Sequence, residues 1–273
     1  MTNRKQSRTE TAVKEVHKPF LTGDAFDENT LKNSLFFFGT LIIVFFVTFI
    51  ACASASFSSL ILRLTINIAV IAVSCIIFYN NGAGRGADAV IRGEILYQKQ
   101  EKGQAFSESE KKVCFHPMKG FIIGIIGTIP FLIAAVILAA NTTIQTTESG
   151  ALPSWMQAYI RRSDIGDALT NYTQSEGMKM IDVVRALVRS CILPFVNITG
   201  YSNRYGMLII ERISPVILLL PAVSYGTGYL TGKKIRTRIH TVISENDRKR
   251  VRRENRRRNK RNNVRNREPE QLN

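Results

Sequence analysis

A chain of 273 residues with 45% apolar content could build one or two soluble domains, but a soluble core draws its apolar residues from the whole chain, and here they are gathered into long blocks. The mean hydropathy of +0.01 averages those blocks with highly charged ends, so it is no sign of solubility. A net charge of +16, from 37 Lys and Arg against 21 Asp and Glu, calls for anionic partners such as a phospholipid surface, nucleic acid or an acidic protein.

Residues 1–33 are polar, with six basic and five acidic side chains and no sustained apolar periodicity, and read as a cytoplasmic, mostly disordered arm. Residues 35–53 hold no charge over nineteen positions, close to the roughly 20 needed to cross a hydrocarbon core of about 30 Å. No short apolar stretch with a cleavage site precedes them, so this first span is expected to stay as a signal anchor. A Ser-rich link leads into a second span, 59–79, whose one charge is Arg63; together, residues 34–79 form a transmembrane hairpin.

Residues 80–119 carry seven basic side chains and open with Asn80, Asn81, Gly82, Gly84 and Gly86, which reads as a turn leaving the bilayer for a cytoplasmic loop. Part of that loop is expected to be helical, from the spacing of Val90, Ile91 and Ile95. A third span follows at 120–140, kinked at Pro130. Gly120 and Gly124, and further on Ser224, Gly228 and Gly232, are small residues at helical spacing, suited to close packing within the bundle.

Residues 141–206 form an extracytoplasmic segment. Within it, 181–201 is apolar enough to resemble a span, but Arg185 and Arg189 share one face opposite Val184, Leu187, Val188 and Cys191, the pattern of a helix lying in the interface. Burying each Arg at mid-bilayer would cost about 2.5 to 3.5 kcal/mol on insertion scales. A second amphipathic stretch, 155–162, is expected on the same surface. The fourth span is 207–230, with Glu211 and Arg212 near its start and Pro215 and Pro221 further in. Arg63 and Glu211, at similar expected depth, form the natural intramembrane polar pair, since ionisable groups in a membrane are functional candidates.

The tail, 231–273, is strongly basic: from residue 233 onward it holds 16 basic and 5 acidic residues. A helical apolar stripe over Ile235, Ile239, Val242 and Ile243 extends the last span along the inner leaflet. Ser244 to Asp247 resembles a capping box that would open a second helix. Arg248, Lys249, Arg250, Arg252, Arg253, Arg256, Arg257, Arg258, Lys260 and Arg261 form the candidate surface for an anionic partner, either inner-leaflet lipid, an acidic protein, or RNA and the ribosome.

The fold class read from this pattern is all-α: a polytopic membrane helical bundle of four spanning helices plus interfacial amphipathic helices. Six basic residues in the arm, seven in the middle loop and the tail, against three in residues 141–180, place both termini in the cytoplasm, in what reads as a bacterial cell membrane. The four cysteines form no C-x-x-C pair, the three histidines are scattered, and no catalytic, cofactor or metal motif is present. The expected function is a non-enzymatic anchor or assembly protein, able to form a homo-oligomer. The alternatives are a transporter or channel component and a ribosome- or nucleic-acid-contacting biogenesis factor.

Overall fold

The computed structural model describes residues 16–53, 60–142, 159, 162, 164–165, 180–200 and 203–265. Among them there is no strand. The described helices are α1 (Glu28–Ala53), α2 (Leu60–Glu101), α3 (Glu108–Lys112), α4 (Lys119–Asn141), α5 (Met180–Cys191), α6 (Leu193–Thr199), α7 (Arg204–Leu218) and α8 (Leu220–Arg265). Four segments are long and apolar enough to cross a membrane: α1, α2, α4, and α7 running on into α8. This is an all-α bundle with the architecture of an integral membrane protein. The amphipathic stretch expected at 155–162 lies almost entirely outside the described residues.

Two elements run far beyond hydrocarbon thickness. At 1.5 Å per residue, the 42 residues of α2 and the 46 of α8 make rods of roughly 60 to 70 Å. They lie side by side and parallel, leaving the bilayer together at the end where α1 and α4 begin. The glycine-rich stretch after residue 79 is therefore not a turn. It is helical, and α8 packs against it so closely at Gly82 and Gly86 that no side chain fits there. A Cβ on Gly82 would lie 2.1 Å from the Tyr225 carbonyl oxygen, one on Gly86 2.2 Å from that of Tyr229, and one on Gly228 2.0 Å from that of Tyr79. Each glycine costs about 1 kcal/mol of helix propensity. Backbone contact along the seam offsets that cost, as in membrane bundles, where packing replaces the hydrophobic drive. Gly124 packs similarly against Ala222, and Gly120 against the Tyr229 ring, so these small-residue ridges serve packing within the bundle.

The interior is layered along the bundle. Phe37, Leu41, Val44, Phe78, Ile123 and Tyr225 form one cluster through α1, α2, α4 and α8. Nearer the opposite end, Ala135 and Leu138 of α4 meet Val188, Ile192, Val196, Met207 and Ile210. The last span breaks at Leu219, flanked by Pro215 and Pro221, each of which removes a helical donor.

Two further sequence expectations change. The arm is not wholly irregular: residues 16–27 run along the α2 and α8 extensions, with the Leu21 amide donating to the Gly93 carbonyl and that of Gly23 to Phe115. Gly23 and Gly93 sit so close to the facing backbone that a Cβ would approach it within 2.7 Å and 2.5 Å. Nor does Ser244 to Asp247 open a new helix, because α8 is continuous from Leu220 to Arg265. A capping box competes only where the helix would otherwise fray, and here the preceding turns are held against α2.

Candidate functional site

Residues 181–200 are not one continuous helix. They form a hairpin of two short helices, α5 and α6, joined at Ile192, with Pro194 in the first turn of α6. Cys191, Ile192, Pro194 and Phe195 at its tip line a pocket shared with Val44, Thr48, Ile71 and Ser74, positions well inside the first two spans. The hairpin thus re-enters the bundle from the end opposite the basic extensions. Gly200 ends α6 at φ +82°, a left-handed conformation open to glycine at little cost. Asn197 fastens α6 in place, its Nδ2 donating to the Cys52 carbonyl at 3.3 Å and standing 3.5 Å from Asn67 Oδ1.

This entry carries Arg185 and Arg189 to Glu211. Glu211 projects from α7 and is 2% exposed. Arg189 Nε donates to its Oε1 at 2.8 Å, and Arg185 Nε stands 3.2 Å from the same oxygen. The Thr142 hydroxyl, at the end of α4, donates to Oε2. Arg185 also donates to Asp182 Oδ1 at 2.8 Å. Two guanidinium groups thus face two carboxylates, and a balanced, hydrogen-bonded network is the form in which buried charge is tolerated. The insertion cost that argued against burying these arginines is for isolated charges; here each is paired.

Glu211 is therefore partnered by Arg189 and Arg185 rather than by Arg63. Arg63 makes no ion pair among the described residues. Its guanidinium lies beside Gly200, where a Cβ would be 3.5 Å from one terminal nitrogen, and its buried Nε has no hydrogen-bond partner among them. Depth along each helix pairs Arg63 with Glu211 in the sequence, and helical spacing sets Arg185 and Arg189 on one face, but neither signal tells which helices meet. The i, i+4 spacing of Arg185 and Arg189 opposite a lone buried Glu was the available signal.

A second buried network sits where α2 and α8 have left the bilayer. Glu94 accepts from Arg236 Nε at 3.0 Å and Nη2 at 2.9 Å, and its other oxygen lies 2.8 Å from His240 Nε2. Burial works to raise the Glu94 carboxyl, but the hydrogen bonds and positive charge of Arg236 and His240 outweigh it and hold the group below its ordinary range. A carboxylate with a depressed folded pKa stabilises above its unfolded value, about 4.3, and loses that contribution as pH falls through the lower folded value. Acidification below about pH 4 is expected to release the α8 extension from α2, read as protease cleavage after Arg236 or Arg238. Glu94→Gln should permit the same cleavage at neutral pH; equal resistance of variant and parent at both pH values would show that the pair does not clamp the helices.

Close by, Lys119 Nζ bonds Asp27 Oδ2 at 2.9 Å with both side chains buried, and also reaches the Lys112 and Cys114 carbonyls. Asp27 in turn accepts from Thr30 while its amide donates to the Thr30 hydroxyl, a reciprocal cap that starts α1. One lysine thus ties the arm, the loop after α3 and the start of α4 together.

The basic run of α8 is placed differently from either network. Arg248, Lys249, Arg250, Arg252, Arg253, Arg256, Arg257, Arg258 and Lys260 are exposed and make no ion pair among the described residues; the backbone of Arg261 continues the helix. Among the described residues, no three His, Cys, Asp or Glu side chains are grouped as metal ligands. Comparison of the chain with protein-family models, with curated protein sequences and with solved structures finds no match in any of the three.

Proposed function

We propose that this chain is a non-enzymatic membrane anchor that presents a rigid, cationic helix to an anionic partner on the cytoplasmic side of a cell membrane. The observation that carries this reading is the continuity of α8 from Leu220 to Arg265. Clamped to α2 by Arg236 and His240, it projects its basic turns well beyond the membrane surface. The positive-inside bias supports a cytoplasmic location for that end. A helix lying in a lipid interface needs an apolar face, and between Asp247 and Lys260 the one apolar side chain is Val251. That pattern favours a polyanion in solution, an acidic protein or nucleic acid, over the inner leaflet itself.

The test uses the full chain in nanodiscs of zwitterionic lipid, with a fluorescent mixed-sequence RNA duplex as the polyanion. Binding is expected to weaken steeply with salt, with a logarithmic slope of roughly −4 to −8 if about five to nine cations engage phosphates. Deleting residues 248–273 should remove it. Retention of binding by the truncated protein, or affinity unchanged between about 50 and 200 mM salt, would overturn the nucleic-acid form of the reading, and recovery of an acidic protein by the same tail would favour the other.

One observation favours a second reading, a transporter or channel component. The re-entrant hairpin meets a broken last span beside a buried charge network, and discontinuous membrane helices are a common way to build a substrate or ion site. In that case Glu211→Gln should abolish flux in proteoliposomes, whereas tail-dependent recovery of a partner should be untouched.

A further inference from the structure

A cleft of about 200 Å³ opens at the basic end of the bundle, lined by Lys32 of α1, Arg85 and Arg92 of α2, Lys119 of α4 and Tyr229 of α8, with Asp27 and Asp88 among its walls. Asp27 is occupied by Lys119, so neither is available to a ligand as a free charge. Lys32, Arg85 and Arg92 are exposed, and none makes an ion pair among the described residues. Asp88 lies between Arg85 and Arg92 on the same face of α2, and three cations against this one carboxylate leave the cleft positive. Tyr229 is 2% exposed, and among the described residues its hydroxyl has no hydrogen-bond partner, although the His116 backbone stands near it.

Depth decides what can reach this cleft. Lys32 lies just before the apolar run of α1, and Arg85 six residues past Tyr79, about 9 Å along the helix. Lys32 falls at the level of the lipid headgroups, which extend roughly 5 to 8 Å beyond the hydrocarbon on each side, and the Arg85 backbone at their outer edge, from which its side chain reaches back. Arg85 is held there by the ring of Phe36, its guanidinium carbon 5.0 Å from the centroid, and Phe36 is 58% exposed on the bundle's outer surface. The cleft therefore opens beside an apolar, lipid-facing side chain, while Arg92 approaches from the aqueous side.

We propose that this cleft binds a phosphate ester at the membrane surface: the phosphate of an anionic phospholipid between Lys32 and Arg85, with Arg92 closing from the water side and the acyl chains beside Phe36. A guanidinium's planar donors suit phosphate oxygens. The site is separate from the α8 tail and does not rest on the anchor reading.

The full-length chain, delipidated in a neutral detergent, would be titrated with dioctanoyl phosphatidylglycerol, with dioctanoyl phosphatidylcholine and with inorganic phosphate, binding being read by native mass spectrometry. Phosphatidylglycerol is expected to bind at least about tenfold tighter than phosphatidylcholine, because the latter's choline cation meets a positive cleft. The double substitution Arg85→Gln with Arg92→Gln should weaken phosphatidylglycerol about tenfold or more, Lys32→Gln several-fold, and deletion of residues 248–273 not at all. Saturation by inorganic phosphate, with the same loss in the double variant, would assign the site to the free anion; failure of phosphate to compete would assign it to the lipid. Equal binding of the two lipids, or full binding by both the double variant and Lys32→Gln, would overturn the proposal. Loss on tail deletion alone would mean that α8, and not the cleft, holds the anion.

Discussion

Glu211→Ala is expected to destabilise the folded protein by about 3 to 5 kcal/mol, the usual cost of removing one partner from a buried charge pair. Arg189 would lose the oxygen to which it donates at 2.8 Å, and the Thr142 hydroxyl its acceptor. Arg185 keeps Asp182 in that variant. The measurement is unfolding in detergent, followed through a thiol reagent reporting on Cys191, which lines the pocket at the hairpin tip. A double-mutant cycle between positions 189 and 211 should give a coupling above about 1.5 kcal/mol. A coupling near zero, with Glu211→Ala as stable as the parent, would mean that the hairpin is held by apolar packing alone. Glu211→Gln also separates the functional readings, since it keeps the shape of the side chain while removing its charge.

The α2 and α8 seam should respond even more sharply to added volume. Gly86→Val and Gly228→Val would each push a side chain into the facing backbone, against carbonyl oxygens 2.2 Å and 2.0 Å from where a Cβ would stand. Backbone cannot rotate away as the end of a flexible side chain can. The ordinary overpacking cost of about 1 to 3 kcal/mol is thus a lower bound, and little folded protein is expected from either variant. Gly84 lies two residues away on the outer face, with nothing within 4 Å of its Cβ position. Gly84→Ala should be neutral or stabilising by up to about 1 kcal/mol, because helix propensity then acts unopposed. Size-exclusion chromatography of the three variants tests this directly; normal yield of Gly86→Val would show that the helices do not touch along this seam.

These two sites differ in how visible they were beforehand. The spans were legible because a nineteen-residue uncharged block has few ways to exist other than in lipid,. Gly82 and Gly86 were read as chain-breaking because local chemistry favours a turn at a cluster of Asn and Gly. Their four-residue spacing, the same as that of Gly228 and Gly232, was the sign of a packed ridge. Likewise the helical register of Arg185 and Arg189 was plain, but their partner lay on another helix, and sequence distance along two helices does not tell which ends meet.

What the sequence determined alone is whatever depends on length and on summed charge: four apolar segments of spanning length, an all-α bundle, and a basic tail too polar to enter the bilayer. These follow from transfer free energies, which add along a chain regardless of its neighbours. What only the tertiary structure decided is whatever depends on a second surface. The hairpin dips inward because Glu211 neutralises its arginines, and the glycines form a packed seam because α8 lies against them. Lys119 holds the arm because Asp27 is buried beside it. Each is a pairwise contact between distant residues, and its sign reverses when the partner is absent.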